Sequence, residues 1–178
     1  RSAHRRHGVH ERAADAAEAR GQLVGWVNNA GIDVVGGAHE VSEQDLNRAI
    51  EVLQLGPMYG CAVAVRRMLA AHGGSIVNVS SIQGMVAFPR YFAYQSAKAA
   101  VTMMSKGIAV DYGSRGIRCN AVLPGVVDTP MTRAGLSDSS DIELALQQEG
   151  QLAPLQRAGT PDEIAEVVGF LLSDGASY

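Results

Sequence analysis

Three short apolar runs set the frame of this chain: Leu23-Val24-Gly25-Trp26-Val27, Ile76-Val77-Asn78-Val79 and Ile117-Arg118-Cys119-Asn120-Ala121-Val122-Leu123. The first two do not alternate between apolar and polar residues, so they suit strands buried on both faces, as in a parallel sheet covered by helices. Each run stops at a turn of small or polar residues: Asn28-Asn29-Ala30-Gly31, Ser80-Ser81 and Pro124-Gly125. In open α/β sheets the carboxyl ends of the strands hold ligands, because the loops there leave a crevice floored by rigid strands. Candidate chemistry therefore belongs at these three turns.

The segments between the runs carry helical signals. Ser42 followed by Asp45 reads as a helix N-cap, and apolar residues recur through Leu46, Ile50, Leu53, Met58, Cys61, Val65 and Leu69, which predicts one long helix towards His72. Pro57 inside it predicts a bend over residues 54–61. A second helix is predicted over residues 91–112, and Thr160-Pro161-Asp162-Glu163 is a capping box with proline at N1, opening a third that runs through Leu172. Residues 131–155 are polar and interrupted by Gly135 and Gly150 around one short helix over 142–148. Their place directly after the Pro124-Gly125 turn predicts a mobile segment covering the substrate.

At 178 residues and 47% hydrophobic content the chain supports one core and one domain. A net charge of -3, with no basic run longer than two residues, gives no electrostatic case for nucleic acid. No apolar run approaches the roughly 20 residues that span a bilayer, and the polar N-terminus has no signal-peptide core, so a soluble protein is expected. Cys61 and Cys119 lie in apolar stretches without a CxxC spacing, which predicts reduced, buried thiols and makes the cytoplasm the default compartment. His4, His7 and His10 alternate with Arg1, Arg5 and Arg6 ahead of an alanine-rich helical stretch over residues 11–20. Histidines so spaced can bind metal, but without a cysteine or acidic pair to complete the shell they read as a solvated helix flank, and no metal is expected.

The chemistry-bearing stretch runs over residues 80–98. On the predicted helix Tyr94 and Lys98 lie four residues apart on one face, so their heads can meet. The chain has five tyrosines but only two lysines, Lys98 and Lys106, against thirteen arginines. A cation about 4 Å from a phenolate, at an effective dielectric of about 20, is worth roughly 4 kcal/mol, which caps the depression of the phenol pKa at roughly three units. A tyrosine so tuned can give a proton to a carbonyl oxygen or take one from an alcohol while a serine hydroxyl polarises the same oxygen. The bland alternative is a tyrosine and a lysine on a solvated face. After Ser81, the residues Gln83, Val86, Phe88 and Phe92 either pack a lid or line a pocket for a largely apolar ketone or alcohol.

Asn28-Asn29-Ala30-Gly31 after a strand, then Ser81, Tyr94 and Lys98 with thirteen positions from serine to tyrosine, then Pro124-Gly125-Val126-Val127-Asp128-Thr129 after another strand, occur in this order in the chain. The combination resembles the classical short-chain dehydrogenase/reductase family, from about residue 21 to the last. The resemblance implies a doubly wound, Rossmann-like α/β/α sheet and hydride transfer between NAD or NADP and a carbonyl or secondary alcohol. It implies Ser81 as the residue orienting the substrate oxygen, Tyr94 as proton donor or acceptor, and Lys98 as the group that lowers the Tyr94 pKa and contacts the nicotinamide ribose. Cofactor contact is implied at Asn28, Ala30, Gly31, Tyr94, Lys98, Pro124, Gly125, Val127 and Thr129, with the Val127 backbone and the Thr129 hydroxyl on the carboxamide. A homodimer or homotetramer is also implied. Taken alone, Asn-Asn-Ala-Gly and Pro-Gly are also ordinary strand-ending turns.

The sequence departs from the family in two ways. Gln54 stands where the family's fourth catalytic residue is asparagine, and is left out of the catalytic set. No G-x-G-x-x-G is present, which leaves the pyrophosphate cradle unassigned. At about 30 residues per βαβ unit, the resemblance places some 60 further residues upstream of this carboxyl two-thirds of a domain, and a last strand beyond Tyr178. Both departures keep open an alternative, a non-catalytic binding or assembly module on the same fold.

Overall fold

The computed structural model describes residues 2–178, with side chains from Gly8 onward. The strands β1 (Gly25–Asn28), β2 (Gly74–Val79) and β3 (Ile117–Val122) form one parallel sheet in that order, with β2 in the centre. The register aligns Trp26, Ile76 and Cys119, and two residues on it aligns Asn28, Asn78 and Ala121. These residues face the helices α3 (Gly56–Ala70) and α4 (Phe92–Tyr112), whose Cys61, Ala64, Met68 and Met104 complete the main core. The opposite face carries α7 (Pro161–Leu172), pinned where Ser75 Oγ and Arg118 Nη1 both donate to the Leu171 carbonyl, at 2.8 and 2.7 Å. Helices thus flank both faces, the Rossmann-like arrangement expected.

Differences from the sequence reading have local causes. The first run begins its ladder where Ser75 N–H donates to Val24 O at 2.8 Å, so the strand is set two residues later than the apolar stretch. It is buried best on the α3 side, where Trp26 is 8% exposed, whereas Val27 on the other face is 39% exposed. The predicted long helix is three pieces: α2 (Glu43–Ala49), capped by Ser42 Oγ accepting from Asp45 N–H, a π-helical turn over Ile50–Leu55 that contains Gln54, and α3. Pro57 falls in the first turn of α3, where a missing N–H costs little, so the discontinuity is the π-helical turn and not a proline kink. Residues 131–155 hold two helices instead of one, α5 (Pro130–Gly135) and α6 (Ile142–Gly150). The α5 start was visible as Thr129-Pro130, the same cap-and-proline signal as Thr160-Pro161, whose capping box is fully formed.

The alanine-rich stretch is the end of α1 (Ser2–Glu18), which lies on α3 through Arg67, whose guanidinium reaches Glu11, Asp15 and Glu18. His10 packs at 6.2 Å from the Trp26 ring, while the side chains of Arg1, His4, Arg5, Arg6 and His7 lie outside the described residues. Among the described residues no helix is long and apolar enough to cross a membrane.

A polar ladder runs through the core beneath the strands. Trp26 Nε1 donates to Asn28 Oδ1 at 2.9 Å, Asn28 Nδ2 to Asn78 Oδ1 at 2.7 Å, Asn78 Nδ2 to Ser105 Oγ at 2.8 Å, and Ser105 Oγ to the Val101 carbonyl at 2.8 Å. Because each donor has an acceptor, burying Asn78 completely locks β1, β2 and α4 together without an orphaned amide. Both cysteines are free and buried beside it, and burial pushes the Cys61 thiol up to about 11 and Cys119 up to about 12.

Gly60 lets α3 lie against this ladder, since a Cβ there would overlap Asn28 Oδ1 and sit 3.0 Å from Trp26 Nε1. Gly60→Ala is therefore expected to lose about 1–2 kcal/mol net, the overpacking outweighing the roughly 1 kcal/mol that alanine gains within a helix. Gly107→Ala in α4, where nothing lies within 4 Å, should instead gain up to about 1 kcal/mol. Urea midpoints of the two variants check this, and equal shifts of the same sign would contradict it.

Candidate active site

The strand end and the helix that follows bring Ser81, Tyr94 and Lys98 to one place. Ser80 and Ser81 point apart, as neighbours leaving a strand do. The Ser80 hydroxyl turns into α4, donating to the Lys98 carbonyl at 2.8 Å beside Thr102 Oγ1 at 2.9 Å. Ser81 caps the 3₁₀ turn Ile82–Gly84, accepting from Gln83 N–H at 3.2 Å, and its hydroxyl also interacts with the Tyr94 phenol. Gly84 allows that turn to sit on α4, because a Cβ would lie 2.9 Å from the Lys98 carbonyl oxygen.

Lys98 is only 6% exposed, with its Nζ donating to the Val79 carbonyl at 2.9 Å and lying 5.7 Å from the centre of the Tyr94 ring. Burial lowers its pKa from the usual lysine value to about 8. Tyr94 does not show the expected depression. Burial raises its pKa, the Ser81 hydroxyl partly opposes the rise, and the Asp33 carboxylate adds to it. The reason is placement: Nζ is tethered to the end of β2 and faces the ring. Tyr91 meets the Tyr94 ring edge-on at 6.0 Å.

Two cavities meet here. The larger, of about 790 Å³, is lined by Asn29, Ala30 and Gly31 from the first turn, by Ser81, Tyr94 and Lys98, and by Pro124, Gly125, Val127 and Thr129 from the third. The smaller, of about 370 Å³, shares Ser81, Tyr94, Gly125, Val127 and Met131 with it and extends beneath α5 and α6. Of the residues singled out from the sequence, Asn28 does not line either cavity. Its amide is spent on the ladder to Asn78, and Asn29 occupies the wall instead, because adjacent residues leaving β1 face opposite sides. Thr129 lines the larger cavity but also caps α5, with Oγ1 accepting from Thr132 N–H at 3.2 Å and lying 3.0 Å from Thr132 Oγ1.

The smaller cavity holds residues that the sequence reading did not single out: Asp33, Tyr91 and Glu149. Tyr91 was visible only as a helix start, and Glu149 sits in a segment whose fold gave no signal of direction. Gln83 and Phe88 line this cavity as expected, whereas Val86 and Phe92 are 52% and 43% exposed and do not. The segment above is braced by Arg133, which grips Asp128 at 2.6 and 2.9 Å and Glu143 at 2.6 Å.

A family profile described as enoyl-(acyl carrier protein) reductase matches residues 3–178. The chain is 38% identical over 164 residues to 2-(S)-hydroxypropyl-CoM dehydrogenase 3 of Xanthobacter autotrophicus, covering 92% of this chain and 64% of that protein. It is 39% identical over 166 residues to the same organism's inactive 2-(S)-hydroxypropyl-CoM dehydrogenase 2, covering 93% of this chain and 72% of that protein. A solved structure of ligand-free aldohexose dehydrogenase from Thermoplasma acidophilum superposes with a TM-score of 0.88 at 34% identity, covering 98% of this chain and 69% of the other. The chain thus spans just under two thirds of the first of these relatives. With the motif order, the sheet and nearly the whole chain in agreement, this protein belongs to the short-chain dehydrogenase/reductase family.

Proposed function

We propose that the protein is an oxidoreductase transferring hydride between NAD or NADP and a ketone or secondary alcohol. The observation that carries this reading is that Ser81 and Tyr94 line both cavities at once. One cavity suits the flat end of a cofactor, the other a small substrate, and the proton-handling groups stand between them. The larger cavity fits a nicotinamide riboside on chemical grounds: its walls are mostly apolar and backbone-rich, and Lys98, its one charged lining residue among those described, donates to the Val79 carbonyl alone among the described residues. Two of the three ammonium hydrogens thus remain for a ribose diol. When bound, the nicotinamide supplies or accepts the hydride.

The chain's own residues do the rest. Ala30, Gly31, Pro124, Gly125 and Val127 form the walls that hold the ring, and Thr129 reaches its carboxamide if it exchanges its cap to Thr132. Ser81 Oγ orients the substrate oxygen. Tyr94 passes the proton to or from that oxygen, and with its pKa raised it is poised as a neutral donor in the carbonyl-reducing direction. Met103 and Val110, 64% and 83% exposed on α4, support a homo-oligomer, and the two buried free thiols support a reducing compartment such as the cytoplasm.

The second reading, a non-catalytic module, is favoured by Gln54 in its π-helical turn and by a relative named as inactive. Incubating the protein with NAD or NADP and a panel of secondary alcohols separates the two. Reduced nicotinamide absorbance should appear with at least one alcohol, and its absence with both cofactors across the panel would leave the second reading.

A further inference from the structure

The smaller cavity selects by charge as well as shape. Among the described residues its two charged lining residues are Asp33 and Glu149, and no lysine or arginine lines it. Both residues are exposed, with partial burial of the Asp33 carboxyl raising its pKa from the usual value, and among the described residues neither appears in an ion pair. Asp33 leans over α5, where a Cβ on Gly135 would lie 3.4 Å from Oδ2. Deeper in the wall, the side-chain oxygen of Gln83 is shut off from solvent and has no hydrogen-bond partner. A buried acceptor without a donor carries a desolvation cost that a ligand donor would relieve. The remaining walls, including Ile82, Phe88 and Leu152, are apolar.

Resting on the oxidoreductase reading, we propose that Gln83, Asp33 and Glu149 make this cavity selective for an alcohol that carries a second hydrogen-bond donor, a hydroxyl or an ammonium, and no anionic group. The carbinol oxygen sits between Ser81 and Tyr94. The second donor turns the Gln83 amide oxygen towards itself, and the two carboxylates attract donors and repel sulfonates, carboxylates and phosphates. This narrows the expectation of a largely apolar substrate, since Gln83 and Phe88 line the cavity while Val86 and Phe92 do not.

The test is kcat/KM on a matched set: 2,3-butanediol, 3-amino-2-butanol, 2-butanol and 3-hydroxybutyrate. The diol or the amino alcohol should exceed 2-butanol by about ten-fold or more, the worth of one well-made hydrogen bond, and 3-hydroxybutyrate should be the poorest. Gln83→Leu should collapse the diol to 2-butanol ratio towards one. The double variant Asp33→Asn, Glu149→Gln should raise kcat/KM for 3-hydroxybutyrate relative to 2-butanol by about ten-fold, a ratio in which the effect of losing Asp33 on the Tyr94 phenol cancels. Turnover of 2-butanol equal to that of the diol, an unchanged ratio in Gln83→Leu, or 3-hydroxybutyrate as a good substrate of the unaltered protein would each overturn the selectivity while leaving the oxidoreductase reading intact. Failure of every alcohol with both cofactors would remove both.

Discussion

Replacing Tyr94 by phenylalanine should abolish turnover, with a loss of about 10²–10⁴-fold or more in kcat, while reduced cofactor still binds and still changes its fluorescence. The substitution removes one hydroxyl and keeps the ring, so the edge-on contact with Tyr91 and the stacking under Lys98 survive. What disappears is the one phenol that, among the described residues, lines both cavities. Retained turnover would refute the assignment, and loss of cofactor binding would make the phenol a structural contact instead. Because burial and Asp33 raise the Tyr94 pKa in the unliganded protein, the residue rests protonated at neutral pH. Ketone reduction should therefore proceed at lower pH than alcohol oxidation.

Lys98→Met should also abolish turnover, yet it should make the fold more stable. Holding the ammonium inside lowers its pKa from 10.5 to about 8, a cost of about 3 kcal/mol at neutral pH. Its hydrogen bond to the Val79 carbonyl returns about 1 kcal/mol. A methionine of similar length fills the same space without the charge, for a net gain of about 2 kcal/mol and a rise of several degrees in Tm. The pH window follows from the direction of the shift. Between about pH 8 and 10.5 the unfolded chain keeps the lysine proton that the folded protein has lost, so the unaltered protein gains stability as pH rises through this window. The advantage of Lys98→Met is therefore full below pH 8 and closes towards pH 10.5. Denaturant midpoints of both proteins at pH 7 and pH 10 measure it, and a variant less stable than its parent at pH 7 would show that the lysine serves the fold instead of the reaction.

The parts of this protein that were legible in the sequence are those set by local rules. The sheet followed from apolar runs closing on small-residue turns, the helix predicted over residues 91–112 is α4, and α7 followed from a capping box that reads the same in one dimension as in three. Strand alternation allows only one of Ser80 and Ser81 to face Tyr94; the family resemblance picked Ser81, and the structure sends Ser80 into α4. The π-helical turn at Ile50–Leu55 was illegible because no local signal carries the packing of Leu53 and Ala49 with Ala93 and Ala97 of α4 that accompanies it, while the nearest sequence signal, Pro57, pointed to a different device. Asn28 misled for a related reason. Its neighbour Asn29 is chemically identical, and only the register of β1 decides which amide meets Asn78. Asp33 and Glu149 lie far apart in sequence, and their shared cavity exists only once α6 has folded back.

That fold-back has fixed anchors. Residues 128–158 leave and return at one point, where Val127 and Gly159 form a parallel bridge, Asp128 N–H donates to the Gly159 carbonyl and Gly159 N–H to the Val126 carbonyl, both at 2.9 Å. The excursion is thus a cassette with its ends already clipped together. A replacement of different length, grafted between the same two clips, adds only a logarithmic loop-closure penalty, on the order of 0.6 kcal/mol per doubling. Ser81, Tyr94 and Lys98 all lie outside residues 128–158, so the cover over the smaller cavity, Thr129 included, can be exchanged as a unit while these three stay where they are.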